Sequence, residues 1–210
     1  MPELIRDIDS DAVSRRLDEV RVLAPEARIL VATKYVPDEE LPALAEAGVE
    51  LVGENRLEDL KRKHTRFSEL FEWHFIGGVQ SRKVRGILPL VSLIHSVASE
   101  SAIDQINRRT QEATRILIQV NVAGEDAKEG IAPQELARFI ERSEVEVAGL
   151  ATMPPFAKDP EDSRPHFKRL AELASEHGLK ELSMGTSQDW RVAVEEGATI
   201  LRLGSTLLRP

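Results

Sequence analysis

The 210-residue chain has no cysteine, which excludes disulfides and thiolate metal sites. It also lacks a basic excess. Its 28 lysines and arginines face 36 aspartates and glutamates, for a formal net charge of -8 and a pI of about 5.3. Tracking a phosphate backbone needs a basic face, so a polyanion is not the expected main partner, although one local group suffices for a small anion. No apolar run approaches the length of a membrane span. The start, Met1-Pro2-Glu3-Leu4-Ile5-Arg6-Asp7, lacks the basic and apolar regions of a signal peptide. The expectation is a soluble cytoplasmic protein that engages neither nucleic acid nor membrane. A Gly-x-Ser-x-Gly nucleophile turn is missing too. His74 and His95 read as isolated strand histidines, with no carboxylate or second histidine at ligand spacing. That argues against a metal site and for two hydrogen-bonded core residues.

What is present begins with Arg28 to Lys34. Its apolar residues Ile29 to Ala32 run without interruption, as in a parallel strand buried on both faces. Lys34 stands where that strand leaves the core. Most such lysines are solvated, but the carboxyl end of a strand is where α/β folds keep their chemistry.

Seven more strands follow with helices between them: Val49 to Gly53, Trp73 to Ile76, Leu93 to Val97, Arg115 to Val120, Val145 to Ala151, Leu179 to Met184 and Thr199 to Leu203. The stripe Leu4, Ile5, Ile8, Val13, Leu17 and Val20 predicts an additional helix from Pro2 to Leu23. Helices are also expected from Asp38 to Ala47, from Leu57 to Phe71, and from about Ser99 to Glu112. Gly48, Gly178 and Gly197 each stand between a helix and a strand. This alternation predicts an α/β chain forming a single (β/α)8 TIM barrel over residues 1–210, with an extra N-terminal helix. An open doubly wound sheet is the alternative, but no Gly-rich dinucleotide fingerprint follows the first strand.

In a barrel the strand ends share one mouth. They bring Lys34, Asn55, Ser183 and Arg202 together with two turns, Gly185-Thr186-Ser187 and Gly204-Ser205. Small residues with hydroxyls and free amides suit a phosphate, and equally suit ordinary turns and caps. Their pairing opposite a lysine favours a phosphorylated ligand. Arg202, between Leu201 and Leu203, needs a partner. Two readings stay open for it: an internal salt bridge with an acid such as Glu54, or a donor to a ring atom of the ligand. The run Lys61-Arg62-Lys63 beside an apolar helix face reads as solvated.

These strings together resemble the pyridoxal phosphate homeostasis protein family, small fold-type III proteins related to the barrel domain of alanine racemase. The resemblance rests on Val31-Ala32-Thr33-Lys34, Val52-Gly53-Glu54-Asn55, Trp73-His74-Phe75-Ile76-Gly77 with Gln80-Ser81-Arg82-Lys83, and Gln119-Val120-Asn121 with Lys128-Glu129-Gly130. It continues through Gly149-Leu150-Ala151-Thr152-Met153, Leu182-Ser183-Met184-Gly185-Thr186-Ser187-Gln188-Asp189 and Arg202-Leu203-Gly204-Ser205. It implies pyridoxal 5'-phosphate held as a Schiff base on Lys34, with Asn55 beside it and Ser183 at the site. Ser187, Gly204 and Ser205 would hold the phosphate, and Arg202 would face the pyridine nitrogen. It further implies a carrier or buffer of the cofactor without established turnover, a monomer, with apo-enzymes that use the cofactor as partners. Arg82 departs from the family's usual asparagine and Ser205 from its usual threonine, and the tail Leu207-Leu208-Arg209-Pro210 lacks the usual Phe-Gly. The alternative is an active fold-type III enzyme such as an amino acid racemase. Racemisation needs two opposed acid-base groups, the second of which those enzymes take from a tyrosine on an added domain. This chain has one tyrosine, Tyr35.

Overall fold

The apolar segment opened by Arg28 forms strand β1 (Arg28–Ala32). Seven parallel strands close on it in chain order: β2 (Leu51–Glu54), β3 (Glu72–Phe75), β4 (Leu93–Val97), β5 (Arg115–Gln119), β6 (Glu146–Ala151), β7 (Glu181–Thr186) and β8 (Ile200–Leu203). Strand β8 returns to pair with β1, Arg202 opposite Leu30. The fold is taken from a computed structural model and described for residues 3–109, 114–124 and 129–209. It is the expected (β/α)8 barrel.

Strand side chains alternate between two cores. Leu30, Leu51, Leu93, Leu117, Ala148, Ala151 and Ile200 form an apolar plug inside the barrel. Val31, Val52, Trp73, Phe75, Ile94 and Ile116 pack against the helices outside. Each fully buried leucine in such a layer is worth about 1.5–3 kcal/mol. The close packing has a sequence cost at Gly53, where a Cβ would lie 2.6 Å from Leu30 Cδ2.

The additional helix α1 spans Ser10–Leu23, shorter than expected. Asp9 caps it, accepting the Ala12 amide at 3.0 Å, so the chain before it cannot continue the helix. The amides of Asp7 and Ile8 donate instead to the Glu40 carboxylate. The remaining helices are α2 (Leu41–Glu46), α3 (Leu57–Phe67), α4 (Val84–Ile87), α5 (Glu100–Asn107), α6 (Leu136–Arg142), α7 (Arg164–Glu176), α8 (Trp190–Glu195) and α9 (Ser205–Leu208). A 3-10 turn, Asp38–Glu40, opens the segment expected to be wholly α-helical there. Residues 110–112, expected at the end of the Ser99 helix, lie outside the described residues, as do Lys128 and Pro210.

One expectation is overturned in the helix layer. Lys61 and Arg62 are exposed, but Lys63 is 1% exposed. Its ammonium lies 2.5 Å from Glu54 Oε1 and donates to the Thr33 carbonyl at 2.7 Å. The run lies across α3, and Lys63 falls on the stripe that faces β2.

Bulges break the register near the mouth, between Ile94 and Val97 on β4 and between Ser183 and Thr186 on β7. Gly185 sits in the second, at φ +87, where a Cβ would also meet Ala193 Cβ at 2.6 Å. Only glycine satisfies both conditions. Gly185 and Thr186 are therefore the last residues of β7, not a turn, and α8 begins further on, behind Asp189.

Candidate functional site

The strand ends surround a cavity of about 540 Å³ lined by Ala32, Lys34, Tyr35, Asn55, Ile76, Met153, Phe156, Thr186, Ser187, Arg202, Gly204 and Ser205, among others. Strand β1 stops at Ala32, and the following turn leaves Lys34 exposed, its ammonium 4.7 Å from the Tyr35 ring centroid. Asn55 follows β2 and is fixed from the side by Gly77, where a Cβ would lie 2.0 Å from the Asn55 carbonyl oxygen. Asn55 Oδ1 is buried with no hydrogen-bond partner among the described residues. A second cavity of about 440 Å³ shares Asn55, Ile76, Met153 and Arg202 with the first and adds Arg56, His95, Ser96, Gln119 and Glu129.

The turns after β7 and β8 are tied together by Ser187. Its Oγ accepts from the amides of Gly204 (3.2 Å) and Thr206 (3.1 Å), and the Thr206 hydroxyl donates to the Ser187 carbonyl at 3.1 Å. With two donors on the oxygen, the Ser187 O–H is itself left to donate. Buried Asp189 braces the first turn, accepting from the Thr186 amide (2.7 Å) and hydroxyl (3.0 Å) and from Ser163 Oγ (2.9 Å). Thr206 was not singled out by sequence. Its only signal is its place directly after Gly204-Ser205.

Arg202 is 8% exposed. One terminal nitrogen donates to the Ser183 carbonyl (3.0 Å) and hydroxyl (2.8 Å), the other to the Thr152 carbonyl (2.7 Å). Its Nε has no hydrogen-bond partner among the described residues. The salt bridge with Glu54 is excluded: Glu54 points outward, to Lys63 and to the Thr33 hydroxyl at 2.7 Å. Burial lowers the Arg202 pKa to about 10, partly offset by Asp189, so the guanidinium stays charged at neutral pH. Ser183 is fully buried and does not line the first cavity. It stands behind Arg202.

The histidines are not isolated. His74 Nε2 lies 2.9 Å from Glu72 Oε1, His74 Nδ1 lies 2.8 Å from His95 Nε2, and His95 Nδ1 lies 2.8 Å from Ser183 Oγ. The premise that no carboxylate or second histidine is near is thus overturned, while the reading as hydrogen-bonded core residues matches these contacts. The missed signal was alternation: Glu72 and His74 are two apart in one strand and share a face. Burial lowers both histidine pKa values, His95 well below the ordinary value. Hydrogen bonds from His74, Ser92 and Arg28 hold the Glu72 carboxyl well below the usual carboxylate range. Among the described residues no group of three or more His, Cys, Asp or Glu could hold a metal ion, and no helix is long and apolar enough to cross a membrane.

Residues 8–209 match the family described as alanine racemase, N-terminal domain. The pyridoxal phosphate homeostasis protein of Aquifex aeolicus is 40% identical over 195 residues, covering 86% of each chain. The mouse protein of that name is 30% identical, covering 93% of this chain and 80% of its own. Among solved structures, PipY of Synechococcus elongatus with PLP bound superposes with a TM-score of 0.81 at 28% identity, over 93% of this chain and 99% of that one. Alanine racemase from Corynebacterium glutamicum shares the fold, with a TM-score of 0.75 at 16% identity, over 99% of this chain and 63% of that one.

Proposed function

The chain belongs to the pyridoxal phosphate homeostasis protein family, which shares the alanine racemase N-terminal domain, and from that premise we propose how its residues serve the cofactor. The protein binds pyridoxal 5'-phosphate and acts in cofactor homeostasis. When bound, the cofactor supplies an aldehyde able to condense with a primary amine and a phosphate that anchors it. Lys34 is the amine. The Ser187 hydroxyl, Gly204 and Ser205 take the phosphate, Asn55 lies beside the ring, and Ser183 holds Arg202.

The observation that carries this reading is that Arg202, whose buried Nε has no hydrogen-bond partner among the described residues, lines the same cavity as Lys34 and both small-residue turns. A buried donor left unpaired costs about 1–3 kcal/mol unless a ligand acceptor meets it. The pyridine nitrogen is such an acceptor. Because Arg202 keeps its own proton near neutral pH, it donates to that nitrogen without protonating it, which makes the ring a poorer electron sink. That suits a protein that holds the cofactor and limits its chemistry. Lys34 and Tyr35 are consecutive and in contact, an arrangement that does not supply the opposed acid-base pair of a racemase. The chain is read as one cofactor-binding domain, monomeric and cytoplasmic, passing cofactor to apo-enzymes.

Borohydride reduction of the cofactor-loaded protein and peptide mapping test the assignment. The adduct is expected on Lys34. An adduct on another lysine, or none, overturns it.

A further inference from the structure

A file of polar side chains crosses the apolar plug of the barrel. It starts at half-exposed Glu72, at the amino end of β3, and runs through His74 and His95 to Ser183 and Arg202 under the mouth, each link 2.8 or 2.9 Å. Its two ends have fixed roles: an ionised carboxylate only accepts and a guanidinium only donates. With both histidines neutral, one arrangement makes every link. Arg202 donates to Ser183 Oγ, and the Ser183 hydroxyl donates to His95 Nδ1. His95 Nε2–H then donates to His74 Nδ1, and His74 Nε2–H to Glu72. Both histidines are thereby Nε2–H tautomers.

We propose that Glu72, His74 and His95 are positioning residues: they form a directional relay that sets the Ser183 hydroxyl and, through it, the Arg202 guanidinium, so that the amino end of the barrel is coupled to the cofactor cavity. The coupling to the cofactor rests on the reading that Arg202 faces it; the relay itself does not. Uptake of one proton reverses the file. His74 then carries N–H on both nitrogens and donates to His95 Nε2, and His95 carries its proton on Nδ1 and donates to Ser183. Three N–H stand where two did, and the Ser183 hydroxyl must turn from His95. His74 touches Glu72 and His95 and feels the charges of Arg28 from β1 and Glu181 from β7; His95 touches His74 and Ser183 and feels the charges of Arg28 and Arg202.

Histidine-selective nitrogen-15 NMR of the apoprotein tests the relay without cofactor. At neutral pH both Nδ1 shifts should be those of unprotonated nitrogen. Glu72→Gln, whose amide can donate to His74, should move His95 toward the Nδ1–H tautomer, while Glu72→Asp should keep the wild-type pattern. If the glutamine variant does not fold, Ser183→Ala should leave His95 in the Nε2–H tautomer, because Glu72 still sets the direction of the file through His74. A wild-type His95 protonated on Nδ1, one unmoved in Glu72→Gln, or one that turns to Nδ1–H in Ser183→Ala overturns the proposal. In loaded protein, Glu72→Gln should shift the pH midpoint of the cofactor absorption. An unmoved midpoint with the tautomers behaving as stated overturns the coupling, and failure to bind cofactor at all counts against the site reading instead.

Discussion

Two buried cations stand on opposite sides of the sheet near the end of β1. Outside, Lys63 is matched by Glu54: the pair is fully enclosed, braced by Thr33, and lines neither mouth cavity. Glu54 Oε2 has no hydrogen-bond partner among the described residues, yet the pair's net charge is zero. Inside, Arg202 meets two backbone carbonyls and a hydroxyl, all neutral; it lines the cavity and its buried Nε has no hydrogen-bond partner among the described residues. Burial alone does not mark a site. A cation whose charge is cancelled on the spot is a brace between strand and helix. One satisfied only by neutral acceptors, with a donor spared, is where an electron-rich ligand atom belongs.

The largest expected effect falls on the brace. Lys63→Met leaves Glu54 charged and alone, and should cost about 3–5 kcal/mol. In a protein of this size each kcal/mol is about 2–4 °C of melting temperature. Adding Glu54→Leu should recover most of the loss, since replacing both partners by apolar groups removes the desolvation penalty. Urea unfolding of the two variants decides it: a loss under about 1 kcal/mol for the single change removes the distinction between brace and site.

The sequence carried more of the barrel than of its interior. Uninterrupted apolar runs marked the strands, and Gly48, Gly178 and Gly197 do leave their helices at positive φ. The mouth residues followed from strand ends alone. What was hidden depends on partners far along the chain. Lys63 reads as solvated because nothing local shows that Glu54, on the strand before it, faces outward. His74 and His95 read as isolated because their link joins β3 to β4 and then to Ser183, 88 positions beyond His95. The boundaries of α1 and β7 shifted for local reasons, a capping aspartate and a bulge glycine.

The mouth itself should be sensitive to one hydroxyl. Ser205 is exposed, so Ser205→Ala removes little from the fold. It should weaken pyridoxal phosphate relative to pyridoxal by about 1.5–3 kcal/mol, the worth of a hydrogen bond to a charged acceptor. Equal losses for both ligands, by fluorescence titration, would put the phosphate elsewhere. Arg202→Gln should cost about 1–3 kcal/mol, less than Lys63→Met, because it strands neutral acceptors and no opposite charge. It should also alter the cofactor's absorption. A loss as large as that of Lys63→Met, with an unchanged spectrum, would make Arg202 a brace as well.

The smallest effect separates the two sides by pH. His74 and His95 are held neutral by burial, so their native pKa values lie below the ordinary 6.5. Between pH 6.5 and those lowered values the unfolded chain binds more protons than the native one, and stability rises with pH. The contribution is fully present above pH 6.5 and declines as pH falls. Its slope is at most about 1.4 kcal/mol per pH unit for each histidine, and less than twice that for the linked pair. Glu72 acts in a lower window. Its native pKa is depressed, so what it contributes is present above the usual carboxylate range and is lost as pH falls through the depressed value. From pH 6.5 to about 5 the histidines therefore set the slope among these three groups. Urea midpoints across that interval should fall in the wild type and fall less in His95→Gln, which keeps a hydrogen-bonding side chain but no titratable ring. If the variant's slope equals the wild type's, His95 is not the neutral link between His74 and Ser183, and the inner file loses the property that sets it apart from the outer pair.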